Sequence, residues 1–177
     1  VDTSHDEAVY LRASSSGNSS LDTYNTIVGG MTGPSSGDAH FRNSNGTHSV
    51  ENGLYLGYSD GMGAGHYQLI GSGTLAASDG GMTVYIGYRG VGDFELDGGT
   101  ANLGSANLYL GRYATASGAF SLDSGSISAS SSQYIGYQGS GTVTQSGGTN
   151  HFNATMRIGY SAGGSGSYTL TGGGLAA

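Results

Sequence analysis

Residues 54–78 read LYLGYSDGMGAGHYQLIGSGTLAAS, and residues 156–177 read MRIGYSAGGSGSYTLTGGGLAA. Both open on an apolar-Gly-Tyr step, cross a glycine-serine spacer to Tyr-x-Leu, and reach a second glycine cluster followed by Leu-Ala-Ala. Copies of the phrase lie between them. Aligned on the glycine, Leu56-Gly57-Tyr58, Ile86-Gly87-Tyr88, Leu110-Gly111-Arg112-Tyr113, Ile135-Gly136-Tyr137 and Ile158-Gly159-Tyr160 fall in register, with the glycines 30, 24, 25 and 23 residues apart. Self-similarity at a period of this length marks a stacked-repeat architecture.

Each copy supplies two further short strands. Tyr67-Gln68-Leu69, Phe94-Glu95-Leu96, Phe120-Ser121-Leu122, Val143-Thr144-Gln145 and Tyr168-Thr169-Leu170 form one series. Thr74-Leu75-Ala76, Asn102-Leu103, Ser126-Ile127-Ser128, His151-Phe152 and Gly174-Leu175-Ala176 form the other. Upstream, residues 39–57 align with residues 141–159 without a gap, so that Phe41 falls on Val143 and Val50 on Phe152. Val9-Tyr10-Leu11, with Arg12 in place of the glycine, reads as a degraded first copy. The chain divides into residues 1–36, a divergent N-terminal coil, arm or cap, and residues 37–177, the repeats.

Apolar and polar residues alternate within each strand, as in Leu54-Tyr55-Leu56, Val84-Tyr85-Ile86 and Leu108-Tyr109-Leu110. The first and third residues of each would face a core and the tyrosine would face out. A unit this short cannot bury its own apolar face, but identical units stacked on one another can. The predicted fold is all-β: a parallel β-solenoid of about six coils of about 25 residues, roughly 29 Å tall at the usual strand spacing. Three faces and this coil length favour the right-handed type. A β-propeller is the alternative, but its blades need four strands and about 40 residues.

Composition agrees. There are 36 glycines in 177 residues, one proline, no cysteine, no tryptophan and no lysine. Such a chain could be disordered, but 13 tyrosines and regularly placed Leu, Ile and Val argue for packing. The net charge of −7 argues against nucleic acid or an anionic membrane surface as partner. No apolar run is long enough to span a bilayer as a helix. The opening VDTSHDEAVYL lacks a basic segment followed by an apolar one, so any export signal is expected to have been removed. Without cysteine there is neither a disulfide framework nor a thiolate metal site.

Stacking would line equivalent side chains into ladders. One outward file is Tyr10, Tyr55, Tyr85, Tyr109 and Tyr134, ending at Arg157. A second is Tyr58, Tyr88, Tyr113, Tyr137 and Tyr160. Rows of aromatic side chains on neighbouring strands stabilise a sheet, and an exposed aromatic stripe could also hold sugars or another fibre.

Other patterns carry less chemistry. Gly33-Pro34-Ser35-Ser36-Gly37 matches a nucleophile-elbow pattern but lacks the helix that motif requires. The glycine runs at 61–65 and 87–92 mimic phosphate loops, again without a helix. Asp93, Glu95 and Asp97 alternate with Phe94 and Leu96, so their carboxylates share an outer face. They could bind a hard cation such as Ca²⁺, act as an acid-base pair on a glycoside, or simply be solvated. Asp2, His5, Asp6 and Glu7 form a second ligand-rich cluster. His40, His48, His66 and His151 read as surface residues. Sequons at Asn18, Asn45 and Asn153 are expected by chance in so Ser/Thr-rich a chain. No enzyme activity and no cofactor are expected, calcium being the one ion with candidate ligands.

The pattern apolar-Gly-Tyr, Gly-x-(Tyr/Phe/Val)-x-(Leu/Gln), Gly-Gly-Thr resembles the repeats of exported bacterial β-solenoid proteins, including autotransporter passenger domains and adhesin-like proteins with β-strand repeats. The likeness covers about residues 37–177 and more weakly 8–36. It implies an extracellular or cell-surface protein, adhesive or structural. The membrane barrel that ends an autotransporter is missing from these residues, as are the catalytic clusters of β-helical polysaccharide lyases.

The final copy stops at Gly174-Leu175-Ala176 with no polar cap, and the element due next, an apolar-Tyr-apolar strand, is what Val9-Tyr10-Leu11 supplies. Open parallel edges recruit strands. The expectation is head-to-tail stacking of copies through Val9, Tyr10, Leu11, Leu170 and Leu175, in a structural subunit of an extracellular fibre or surface matrix. The alternatives are an adhesin stalk or carbohydrate-binding solenoid with surface polysaccharide as partner, and a polysaccharide-active enzyme.

Overall fold

Alternating burial along short strands, punctuated by glycine, leaves one way to hide every apolar residue: wind the chain into a coil and stack the coils. The computed structural model, which describes residues 20–30, 37–78 and 82–176, has this form. Val9, Tyr10, Leu11, Asp2, His5, Asp6, Glu7 and Ser35 lie outside the described residues. In chain order the strands are β1 (Ser20–Val28), β2 (Ala39–Asn43), β3 (Thr47–Leu56), β4 (Gly65–Ala77), β5 (Thr83–Ile86), β6 (Val91–Asn102) and β7 (Asn107–Leu110). They continue as β8 (Ser117–Ala129), β9 (Gln133–Ile135), β10 (Ser140–Gln145), β11 (Thr149–Phe152), β12 (Met156–Ile158), β13 (Ser165–Leu170) and β14 (Gly174–Ala176). No helix occurs among the described residues, and every pairing between strands is parallel.

Three faces follow from the pairings, in about six turns. The first carries β2, the opening halves of β4, β6 and β8, then β10 and β13. The second carries the start of β1 and β3, the later halves of β4, β6 and β8, then β11 and β14. The third runs from the ends of β1 and β3 through β5, β7 and β9 to β12. Register shifts in β4, β6 and β8 near Gly71, Asp97 and Ser124 bend single long strands around the corner between the first two faces.

Sharper corners need glycine. Gly87 has φ +73°, and a Cβ there would stand 2.2 Å from the Ser117 carbonyl oxygen of the coil above. Gly136 repeats this with φ +73° and 2.0 Å to the Ser165 oxygen. Both needs, left-handed backbone and close approach of the next coil, exclude any side chain. The glycine of the apolar-Gly-Tyr phrase is therefore a property of the stack.

Inside, each face contributes files of like residues. Phe41, Tyr67, Phe94 and Phe120 stack or meet edge-on at centroid distances of 4.9 to 5.3 Å. Leu69, Leu96 and Leu122 form the file beside them, facing Leu54, Leu56, Val84, Ile86, Leu108 and Leu110 from the third face, all but completely buried. Fully burying such a side chain contributes about 1.5–3 kcal/mol.

One polar residue lies inside, where alternation with Val50 puts it. His48 was expected on the surface, but it is buried at 1% exposure. Its Nε2 is 2.9 Å from Thr26 Oγ1 and its Nδ1 2.9 Å from the Tyr67 hydroxyl, with the Phe41 ring at 4.8 Å. A neutral imidazole offers one donor and one acceptor, which these two hydroxyls can match. The residue preceding Val50 by two is inward by the same alternation, so a polar residue stands at an interior position.

Candidate functional site

The third face carries the tyrosines. Tyr55, Tyr85, Tyr109 and Tyr134 are register partners on β3, β5, β7 and β9, stacked at 5.0, 5.4 and 4.8 Å between centroids with interplanar angles of 21°, 18° and 5°. Arg157 pairs with Tyr134 at the top of the file. Below Tyr55 the partner is Ile27, so the place read for Tyr10 belongs to an aliphatic residue of β1. Tyr58 and Tyr88, in the corners after the third face, stack at 5.2 Å, and Tyr137 and Tyr160 meet at 5.0 Å. Rings of the corner file meet those of the strand file edge-on, for example Tyr85 with Tyr88 at 4.9 Å and Tyr134 with Tyr137 at 5.3 Å.

The corner file is interrupted at its middle. Arg112 takes the backbone place after Gly111, with its amide on the Gly87 carbonyl, and Tyr113 is displaced by one residue. Tyr113 meets Tyr88 edge-on at 5.2 Å, while the Arg112 guanidinium fills the missing rung 4.3 Å from the Tyr137 ring centre. The extra residue in Leu110-Gly111-Arg112-Tyr113 was legible in the sequence; that the arginine becomes the rung was not.

Two further arginines join this surface. Arg89 lies 5.1 Å from the Tyr113 ring centre, and Arg157 lies 5.0 Å from Tyr160 and 5.5 Å from Tyr134. Each contact is a cation held over a ring face. Among the described residues, no carboxylate lies within ion-pair distance of Arg89, Arg112 or Arg157. Their field is visible in the phenols. A hydrogen bond to Tyr88, then the Arg112 and Arg89 charges, hold the Tyr113 hydroxyl below its ordinary pKa, while that hydrogen bond pushes Tyr88 up to about 12.

The acidic trio sits on the first face and is taken up one residue at a time. Asp93 lies 2.9 Å from His66 Nδ1, Glu95 accepts from Gln68 Nε2 at 2.9 Å, and Asp97 accepts from Ser124 Oγ at 3.0 Å. No group of three or more His, Cys, Asp or Glu among the described residues could hold a metal ion. The His66–Asp93 pair escaped sequence reasoning, although His40, His66 and Asp93 are register partners and thus equivalent in the aligned copies. His40 stacks on His66 at 4.5 Å.

A third feature is the last coil. Inward positions that are buried in the coils between the two ends are open here: Ile158 is 49% exposed, Leu170 47% and Leu175 41%. No protein-family model, curated protein or solved structure matches this chain, so the class rests on its own geometry: a β-solenoid repeat protein.

Proposed function

We propose that this chain is a structural subunit of an extracellular fibre or surface matrix, in which coils of successive copies stack head to tail. The observation carrying this reading is the exposed row Ile158, Leu170 and Leu175 at positions that are core elsewhere. The strands bearing them, β12, β13 and β14, each have one pairing partner, so one edge of unpaired backbone groups accompanies the apolar row. A parallel coil of the same pattern satisfies both. The occupant is a second copy, entering by the N-terminal coil that the sequence assigns to Val9, Tyr10 and Leu11. Such a contact joins unlike surfaces and does not close, so it generates a filament.

The experiment is negative-stain microscopy with sedimentation velocity on the purified chain and on a Leu170→Asp/Leu175→Asp variant. Filaments or a ladder of oligomers, abolished in a variant that keeps its circular dichroism spectrum, is the expected result. Discrete monomers of the unaltered chain at high concentration would overturn it. An adhesin stalk or carbohydrate-binding solenoid is the second reading, favoured by the tyrosine-arginine stripe.

A further inference from the structure

We propose that the tyrosine-arginine stripe of the third face binds a carboxylate-bearing polysaccharide, laid along the solenoid axis. The inference deepens the carbohydrate-binding reading and is independent of head-to-tail stacking. In the middle of the stripe, ring faces are covered: Tyr85 is stacked between Tyr55 and Tyr109, and Tyr109 between Tyr85 and Tyr134. A pyranose cannot lie flat on them. What the stripe offers outward is the edges of phenols and the N–H groups of three guanidiniums.

Charge selects the partner. Arg89, Arg112 and Arg157 are three of the four arginines in the described residues, and none has a carboxylate within ion-pair distance there. Of the described acids, Asp93, Glu95, Asp97 and Asp123 stand on the first face or at its far edge, in β6 and β8, and Asp38 lies beside His66 of that face. Asp22 and Glu51 lie in β1 and β3, Glu51 at the corner that leads into the third face. Asp60, in the corner after Tyr58, is the acid nearest the stripe in sequence. Positive charge is thus gathered on one side of a chain whose net charge is −7. At physiological salt, fields beyond about 8 Å are largely screened, so the local stripe decides what docks.

Spacing selects a linear polymer. Arg89 and Arg112 belong to successive coils, and Arg157 lies two coils further on, with the Arg112 guanidinium leaning over Tyr137 between them. Coils repeat at about 4.8 Å, close to the length of one sugar residue in an extended chain. A polyuronate therefore meets hydroxyl edges at each step and a guanidinium at most of them. Guanidinium is suited to carboxylate through its fork of donors.

Binding should be measured by affinity electrophoresis and calorimetry with polygalacturonate, dextran and oligo-dT, at low and high sodium chloride. The expected result is polygalacturonate binding that salt weakens, with no binding of dextran. Arg89→Gln/Arg112→Gln/Arg157→Gln should weaken it by roughly tenfold, three exposed charge contacts being lost. Tyr85→Phe/Tyr109→Phe, which keeps the stack, tests the hydroxyls and should weaken binding by a smaller factor. Unchanged thermal unfolding of both variants shows that the fold persists. Equal binding of dextran would overturn the anionic inference while leaving a carbohydrate module standing; binding of neither glycan would overturn both. Tighter binding of oligo-dT, or a triple variant that binds as the original does, would also overturn the proposal.

Discussion

The two ends of the solenoid interior differ from its middle, and they differ from each other. Between them the files are apolar: Leu69, Leu96 and Leu122, or Leu54, Val84 and Leu108. Toward the N-terminal end these files turn polar at Thr26 and Asn43, and the file of Leu75, Ala101 and Ile127 does so at His48, with the Tyr67 hydroxyl joining the imidazole. Toward the other end they turn polar at Gln133, Gln145 and Asn150. There Gln133 and Asn150 exchange two hydrogen bonds, of 2.7 and 3.2 Å, Gln145 Nε2 donates to the Gly174 carbonyl, and the Tyr168 hydroxyl donates to Gln145 Oε1. Every buried polar side-chain atom among the described residues has a partner. One layer is built on an imidazole that can titrate, the other on amides that cannot. The amide layer is also not a terminus of the core, because the residues stacked on Gln133, Gln145 and Asn150 are apolar again: Met156, Leu170 and Leu175. Polar layers inside a stack demand a specific partner above and below, so they hold register where leucine on leucine would not.

That contrast can be broken most severely in the middle. Leu96→Ala leaves a void between fully buried neighbours and should cost about 2–5 kcal/mol, measured by denaturant unfolding. The same change at Leu170, already half exposed, should cost well under half as much. Equal costs would mean that the last coil is packed in solution, as it would be inside a filament, and repeating the measurement on the Leu175→Asp variant would tell.

Acid should separate the two ends next. Burial lowers the His48 pKa from 6.5 to about 4, opposed by the Asp22 charge. The unfolded chain takes up its proton first as pH falls. The stabilising effect of keeping His48 neutral is therefore complete above about pH 6.5 and is lost progressively down to about pH 4, by as much as roughly 3 kcal/mol. Unfolding midpoints measured across this window should fall, and His48→Gln should flatten the slope. The acids common to both proteins set the slope that remains.

The smallest effect is expected at the amide layer. Asn150→Ala strands the Gln133 side chain in the core and should cost about 1–3 kcal/mol, with no difference between pH 4 and pH 6.5 beyond that of the parent protein. A pH-dependent penalty would show that the layer is coupled to a titrating group.

Much of the scaffold was legible because its cause is local. Period-2 alternation in Leu54-Tyr55-Leu56 and its copies assigns core and surface without any knowledge of the coil, and repetition identifies each strand's neighbour. The tyrosine file on β3, β5, β7 and β9 follows directly from that. Where reading failed, the cause lay between copies. His48 looks like any polar residue of a strand until Thr26 and Tyr67 arrive from the coils on either side. Arg112 looks like an insertion until Tyr137 provides the ring beneath its guanidinium. The His66–Asp93 pair crosses coils in the same way.

The sequence by itself determined the repeat, the alternation and the glycine corners, since each depends on φ, ψ and side-chain polarity within a few residues. Only the tertiary structure decided which polar residues lie inside, which arginines stand over aromatic rings, and which apolar row is left open at Ile158, Leu170 and Leu175. Those outcomes depend on what the neighbouring coil places about 4.8 Å away, and a single strand carries no record of its neighbour.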